Sequence, residues 1–297
     1  MKRWMLMCLA LVMSSAMAFG QTTSREEVLL QWKFKKGQSL RYKQVMNMEM
    51  AMAMPMGEQK FTISFSSWFT QKVVEVSKDG IATLKLKFDR VKTKVNAGPG
   101  RSFSFDSKNP DDAKKIGDPR FKALTDLVGK AITVKVDKTG KVQKIQGLSG
   151  QPGSPFTLKK RDIEDMFLNF PMGPIRVGAS WTKKQVRDMN GMPMRIDAKF
   201  KLSDITKSQG RTAAKIDTKM KISMDISKAN NPLFKQMKIQ VKKSEGSGVF
   251  HFAIDEGYML SAQGTTTIDM EMSGAMGENK FRMSQSVRVK NKLELIK

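Results

Sequence analysis

Apolar and polar residues alternate along most of this 297-residue chain. In the segment IDTKMKISMDI, Ile216, Met220 and Ile222 fall on one side of the alternation, and the residues on the other side are charged or polar. Segments 61–69 and 281–289 repeat the pattern. A period of two is typical of antiparallel strands with one buried and one solvated face. Turn sequences such as KDG, KTG and DEG separate these segments, as hairpins require.

Three segments carry helical signals instead. DPRFKALTDLVGK combines an N-cap Asp118, a proline at the first helical position and a terminal Gly129. KRDIEDMFLNF spaces its apolar residues at helical intervals from Ile163 to Phe170, and NPLFKQMK predicts a shorter helix. Because every strand has an apolar face to cover, we predict a mainly β fold. It consists of one or two duplicated, curved antiparallel sheets, with two or three short helices over the apolar concave face.

The chain also repeats itself. GQSLRYKQV at 37–45 matches GASWTKKQV at 178–186, DPRFK matches NPLFK, and a turn followed by a Gln-Gly pair completes each series. Matches that recur in the same order predict a duplicated unit. The predicted organisation is a first β-rich half over residues 19–147, a linker with an amphipathic helix over 148–175, and a second β-rich half over 176–297.

Residues 1–18 have the composition of a secretory signal peptide. Lys2 and Arg3 precede an apolar run of about ten residues, roughly half of what a bilayer span needs, and AMA at 16–18 is a cleavage pattern. We therefore expect a soluble exported protein, periplasmic or extracellular, with no later transmembrane segment. Cys8, the single cysteine, lies inside the apolar run, so we expect neither disulfides nor thiolate chemistry in the mature chain.

The chain is strongly basic, with 53 lysines and arginines against 28 acids and a formal net charge of +25. Such a field attracts anionic partners, so an anionic membrane or polysaccharide surface is a candidate contact. The lysines are spread along strand-like segments, as at Lys199, Lys201, Lys219 and Lys221, which is typical of a solvated sheet face. Since no nucleic-acid-binding motif is present and export is expected, nucleic acid is not an expected partner.

Methionine is concentrated in MNMEMAMAMPMGEQKF, residues 46–61, and a similar hairpin sequence follows at 270–281. Three interpretations remain open: the packed face of a strand, the lining of a pocket for a lipid or other apolar ligand, and a thioether site for Cu(I). The residues proposed to line the pocket are Met46, Met48, Met50, Met52, Met54, Phe61, Phe65, Met220, Met224, Met270, Met272 and Phe167. The proposed copper ligands are Met48, Met50, Met52 and Met54.

The sequence contains no arrangement that is typical of an enzyme. Nucleophile-elbow, zinc-protease and phosphate-loop motifs are absent, and no cofactor is predicted. The single histidine, His251, stands between Phe250 and Phe252, which predicts a partly exposed strand position. The adjacent acids Asp111–Asp112 fall in a predicted loop and Glu164–Asp165 on the polar side of a predicted helix. We therefore expect a protein that is not an enzyme.

The segments KKGQSLRY, SKDGIATLKL, VDKTGKVQKIQG and FPMGPIRVGASW resemble an uncharacterised family of exported bacterial β-rich proteins, of the domain-of-unknown-function type. The mid-chain part of this resemblance rests on Pro171, Pro174, Val177, Gly178 and Trp181. The resemblance covers most of the mature chain and brings no catalytic residues. More distantly, a helix-covered curved sheet behind a signal peptide is similar to the periplasmic lipoprotein carriers, which implies a fold and not a function.

These features together predict an exported, non-enzymatic binding protein for a lipid or other acyl-bearing ligand at the bacterial envelope. Two alternatives remain open. One is a structural or assembly partner in the envelope without a small ligand, and the other is Cu(I) binding by the methionine hairpins.

Overall fold

The computed structural model describes residues 27–54, 57–98, 101–115, 128–148, 158–189, 192–224, 238–276 and 279–296. The predicted signal peptide lies outside these ranges. So do the predicted helices DPRFKALTDLVGK and NPLFKQMK, apart from their last residues.

Within these ranges, twelve strands form one antiparallel sheet that is not closed, which confirms the predicted mainly β architecture. The strands are β1 (Ser39–Met54), β2 (Gly57–Val76), β3 (Ala82–Asn96), β4 (Ser102–Asp106), β5 (Ala131–Val136), β6 (Val142–Gln146), β7 (Ser180–Met189), β8 (Met192–Ser208), β9 (Arg211–Met224), β10 (Lys238–Ala253), β11 (Tyr258–Met276) and β12 (Asn279–Leu295). Their order across the sheet is β6-β5-β3-β2-β1-β12-β11-β10-β9-β8-β7, and β4 also pairs with β3.

The order of the strands shows how the two predicted halves are joined. Each half is a meander, and the halves meet where β1 pairs with β12, with Met48 opposite Val289. The strands next to the linker, β6 and β7, therefore lie at opposite edges of the sheet. Gly37 and Gly178, which the repeat alignment equates, donate equivalent backbone hydrogen bonds to Val73 and Leu202. The division at 148–175 remains a prediction from the repeat.

Alternation along each strand separates the two faces of the sheet. Leu84 and Leu86 of β3 are buried, whereas Lys85 and Lys87 between them are exposed. We call the face with Leu84 the inner face and the face with Lys85 the outer face. At the described inner-face positions of β1, β2, β3, β9, β10, β11 and β12 no side chain is charged. The cations of these strands therefore lie on the outer face, as a solvated sheet face requires.

A buried cluster of described residues fills one end of the inner face, which we call the filled end. Trp32 lies at its centre, stacked on Phe34 and edge-on to Phe167 and Phe252, with ring centroids 5.4 and 5.3 Å away for the latter two. Both predicted halves contribute strand residues to this cluster, and the linker contributes Phe167. The two halves thus share one core, because aromatic contacts of this kind join all three segments.

The segment before β1 ties the two halves together at the filled end. The backbone amide of Trp32 donates to the carbonyl of Lys138 in the β5–β6 turn, and that of Lys33 donates to Gly257 in the β10–β11 turn. Gly140 and Gly257 both have positive φ, +85° and +70°. A Cβ on Gly140 would lie 2.3 Å from the Leu168 oxygen, and one on Gly257 would lie 2.4 Å from the Lys33 nitrogen. Only glycine fits at either turn.

The described residues contain two short helices, α1 (Pro110–Lys115) and α2 (Lys160–Glu164). Asp111 and Asp112 lie in α1 and not in a loop. Helix α2 ends six residues before Phe170, which differs from the prediction. The physical reason is that its continuation bonds elsewhere: the Leu168 carbonyl accepts from the Trp32 indole at 3.0 Å, and the Phe170 amide donates to Thr139.

Candidate functional site

The predicted pocket residues of β1 and β2 lie together on the inner face, at the end of the sheet opposite the filled end. Met48 lies between Ile63 of β2 and Val289 of β12, and Met50 lies between Phe61 and Val287. We call this surface the methionine face. It consists of Met46, Met48, Met50, Met52, Phe61, Ile63, Phe65, Ile268, Met270, Met272, Met283, Val287 and Val289.

The methionine face is separate from the core. Met46, Met48, Met50, Met52, Phe61 and Phe65 are half-buried, and none of them belongs to the buried cluster or packs against it. Met270 and Met272 of β11 are buried. On β9, Met220 packs against the core cluster and Met224 is half-buried. The side chain of Met54 lies outside the described part of the chain. Apolar side chains that keep partial exposure in a contiguous surface are typical of a binding face.

Phe167 does not join the methionine face. It is 1% exposed and lies in the core cluster at the filled end, beside Trp32. Sequence reasoning grouped it with the methionines because a helix was expected to cover them, but the segment after α2 instead packs into the filled end. The structure therefore brings together the described predicted residues of β1, β2 and β11, and it leaves Met220, Met224 and Phe167 outside the methionine face.

One polar side chain within the methionine face was not predicted. Gln285 of β12 stands between Met52 of β1 and Met270 of β11, and its Nε2 donates to the Met50 sulfur at 3.2 Å. A thioether is a weak acceptor, so this amide retains most of its capacity to bond a ligand. The signal was present in the sequence as a glutamine at an apolar position of FRMSQSVRV.

Two further polar side chains lie on the inner face between the filled end and the methionine face. The side chains of Ser67 and Thr93 are buried, with exposed fractions of 0% and 1%, and neither hydroxyl has a hydrogen-bond partner among the described residues. Ser67 is opposite Gln44, and Thr93 is opposite Phe65. An unpaired buried hydroxyl costs about 1–3 kcal/mol. These hydroxyls are therefore suited to a polar group that enters the inner face.

The described residues offer few side chains that could bind a metal ion. No group of three His, Cys, Asp or Glu side chains is placed to hold a metal ion there. His251 is half-buried on the outer face with its Nδ1 3.1 Å from the Ser261 hydroxyl, as expected for a strand residue. Met48, Met50 and Met52 follow one another on a single strand, where same-face residues are spaced by about 6.7 Å. Copper binding by these thioethers would require their side chains to bend toward each other.

Asp106 and Tyr42, which lie outside the methionine face, are among the groups with shifted pKa values. The Arg90 guanidinium, hydrogen-bonded to Asp106, lowers the pKa of that carboxyl below its usual range. Burial, and secondarily the nearby Tyr258, raises the pKa of Tyr42 well above its usual range. Both groups have structural partners, so neither shift indicates a catalytic acid or base.

The fold and site define a class of protein: an open antiparallel sheet whose inner face is apolar, partly exposed and uncharged over β1, β2, β3 and β9 to β12, and whose outer face is cationic over the same strands. The profile of a family of unknown function, DUF6263, matches residues 79–150 and 158–257, more than half of the chain. The protein belongs to this family, which confirms the resemblance to an uncharacterised family. No helix in the described ranges has the length and hydropathy to cross a membrane.

Three solved structures are remotely similar to this chain. No curated protein sequence matches. A lipovitellin structure, described by its lipid–protein interactions, aligns at 12% identity and TM-score 0.45 over 89% of this chain and 26% of its own, so this chain spans about a quarter of that protein. DynF, from the dynemicin pathway of Micromonospora chersina, aligns at 11% identity and TM-score 0.21 over 91% and 86% of the two chains. An outer membrane channel from Pseudomonas putida F1 aligns at 5% identity and TM-score 0.20 over 88% of this chain and 97% of its own. Scores below 0.5 establish neither a shared fold nor a function.

Proposed function

We propose that the protein is an exported, non-enzymatic binding protein that holds a lipid or other acyl-bearing ligand on the methionine face. The observation that carries the proposal is the separation of this face from the core: Met48, Met50 and Phe61 stay half-buried on an uncharged surface, in a chain of net charge +25. A sheet that needed these residues only for packing would bury them in its core cluster.

An acyl chain suits this surface on energetic grounds. Burying apolar area contributes about 25 cal/mol per Å², and an acyl chain laid along Met48, Met50 and their β2 and β12 neighbours covers area on both partners. Methionine side chains are flexible and polarisable, so they adapt to chains of different length and saturation. The part of the ligand that contacts this face is expected to be uncharged, because the surrounding inner-face positions carry no counter-ion.

The polar end of the ligand also finds partners on the inner face. The Ser67 and Thr93 hydroxyls lie at one side of the methionine face, and the Gln285 amide lies within it. These groups hydrogen-bond esters, amides and hydroxyls and carry no charge. The proposed ligand therefore combines an acyl chain with a neutral polar group close to the chain.

The test is a binding titration of the full-length protein with a neutral fluorescent fatty-acid ester, methyl cis-parinarate, together with mass spectrometry of lipids extracted from the purified protein. The double variant Met48→Gln/Met50→Gln is expected to weaken binding about tenfold or more, since two apolar contacts are lost. Met172→Gln is the matched control, because Met172 is 92% exposed in the linker. Equal affinity of all three proteins, or an absence of both probe binding and co-purified lipid, would overturn the proposal.

A second double variant separates lipid binding from copper binding. Met48→Leu/Met50→Leu keeps the apolar area and removes two thioethers. A lipid-binding face retains its affinity for methyl cis-parinarate in this variant. A Cu(I) site instead loses affinity for Cu(I) in a titration under reducing conditions, while the affinity for methyl cis-parinarate stays unchanged.

A further inference from the structure

The outer face of the sheet contains a cavity of about 740 Å³ that is unrelated to the methionine face. It lies over the middle of β9, β10, β11, β12 and β1, and its polar lining includes Lys219, Ser247, Thr265, Lys290 and Asn47. Neighbouring strands are about 4.8 Å apart, so the five strands give the cavity a length of roughly 19 Å across the sheet. Its volume falls within the range of small-molecule sites, about 300–1,000 Å³.

Two glycines at inner-face positions lie in the strands that form the floor of the cavity. Gly248 of β10 lies opposite Gly264 of β11, and both line the cavity. A Cβ on Gly248 would be 2.6 Å from the Gln263 oxygen, and one on Gly264 would be 2.9 Å from the Ser247 oxygen. Such close approach between strands requires glycine. The floor of the cavity is therefore backbone at these two positions, and its walls are the outer-face side chains of the neighbouring residues.

The charges around the cavity favour an anion. Four lysines and two acids line it, namely Lys43, Lys219, Lys290, Lys292, Asp217 and Glu294. Glu294 is paired with Lys292 at 2.6 Å. Lys219 and Lys290 have no ion pair with any described residue, and they occupy one cross-strand row with Ser247 and Thr265 between them. Two unpaired ammonium groups joined by a floor of hydroxyls form the centre of the site.

This arrangement defines the chemistry of the ligand. Lysine offers a point charge to carboxylates, sulfates or phosphates without the bidentate geometry of arginine. The hydroxyl and amide groups of Ser247, Thr265 and Asn47 pair with the hydroxyls of a hydroxyl-rich ligand. An elongated concave site accommodates an extended oligomeric ligand. A flat membrane surface would contact only the rim of the site. We infer that the outer-face cavity binds an acidic oligosaccharide, with Lys219 and Lys290 contacting its anionic groups.

The inference does not rest on lipid binding, because the two sites lie on opposite faces of the sheet. It is tested by calorimetric titration of the full-length protein with an oligogalacturonide at physiological ionic strength, where diffuse attraction is screened beyond about 8 Å. Neutral maltodextrin and inorganic phosphate are the comparison ligands. We expect saturable binding of the oligogalacturonide, with maltodextrin much weaker and phosphate unable to compete at equal concentration of charge.

The variant Lys219→Gln/Lys290→Gln is expected to weaken this binding about tenfold, as two ionic contacts of modest strength are lost. Lys85→Gln/Lys87→Gln is the matched control, since it removes the same charge from exposed outer-face positions on β3, outside the cavity. Equal losses in the two variants would show that binding follows net charge and would overturn the site. Binding to anionic phospholipid vesicles that survives excess oligogalacturonide would overturn it in favour of a membrane surface.

Discussion

Trp32 is the side chain on which the filled end is assembled. Its ring contacts Phe34, Phe167, Phe170 and Phe252, and its indole nitrogen donates to the Leu168 carbonyl. Trp32→Ala is expected to lower the free energy of unfolding by about 3–5 kcal/mol. Trp32→Phe keeps an aromatic ring but leaves that carbonyl unpaired, at a cost of about 1–3 kcal/mol.

Urea denaturation followed by circular dichroism measures both variants, because this signal does not depend on the tryptophan that is removed. A cost below about 1 kcal/mol for Trp32→Ala would show that the cluster repacks without the indole. Equal costs for the two variants would assign the effect to the hydrogen bond instead of the packing.

The raised pKa of Tyr42 allows a prediction of how the stability of the protein changes in alkaline solution. Its hydroxyl is buried and donates to the Met259 carbonyl at 3.0 Å, and burial raises the pKa of Tyr42. A tyrosine of the unfolded chain ionises near pH 10, whereas the folded protein keeps this proton to higher pH. The resulting stabilisation is fully present below about pH 10 and is lost as the pH rises further.

Tyr42→Phe is therefore expected to show a shallower decline in stability between about pH 9 and pH 11 than the wild type. At neutral pH the variant loses about 1 kcal/mol with the hydrogen bond. Urea midpoints across this pH range provide the measurement. Parallel declines for the two proteins would mean that Tyr42 ionises as readily when folded as when unfolded.

Glycine substitutions in the two turns that contact the segment before β1 test how firmly this segment holds the two halves. Gly80 has a φ of +77° and open space where a Cβ would be added. Gly80→Ala is therefore expected to lower the free energy of unfolding through backbone strain alone, by about 1–2 kcal/mol. Gly140→Ala and Gly257→Ala add contact with backbone atoms of Leu168 and Lys33, so each is expected to cost at least about 1 kcal/mol more than Gly80→Ala. Thermal unfolding of the three variants gives the comparison, and equal losses would show that this segment moves aside easily.

The sequence predicted secondary structure correctly where that structure depends on the local alternation of apolar and polar residues. The period of two in 216–224 correctly separated Ile216 and Ile222 from Lys219 and Lys221, because each face of a strand meets a uniform environment. The helical spacing in 163–170 overestimated α2, since Phe167 and Phe170 are buried through contacts with Trp32 and not along a helix. Apolar spacing alone does not distinguish these two routes to burial.

The candidate sites needed the register of the whole sheet. Sequence analysis placed Met48 and Phe61 on one apolar face, but the neighbours contributed by β12 depend on a pairing between the two ends of the chain. Ser67 and Thr93 interrupt apolar patterns, and only strand pairing shows that they are neighbours on one face. The outer-face cavity was likewise invisible, because its lining residues come from five strands that only the register of the sheet brings together.

The segregation of charge over the whole molecule predicts an unusual response to salt. Lysines such as Lys85, Lys219 and Lys290 share the outer face, and the chain carries 25 more cations than anions. Mutual repulsion of this kind destabilises the compact state. Raising the salt concentration from about 0.01 M to 0.15 M shortens the screening length from about 30 Å to 8 Å. We expect the melting temperature to rise by about 2–4 °C, equivalent to about 1 kcal/mol at this chain length. Lys85→Gln/Lys87→Gln should reduce the rise, and a melting temperature that falls with salt would show that the surface ion pairs outweigh the repulsion.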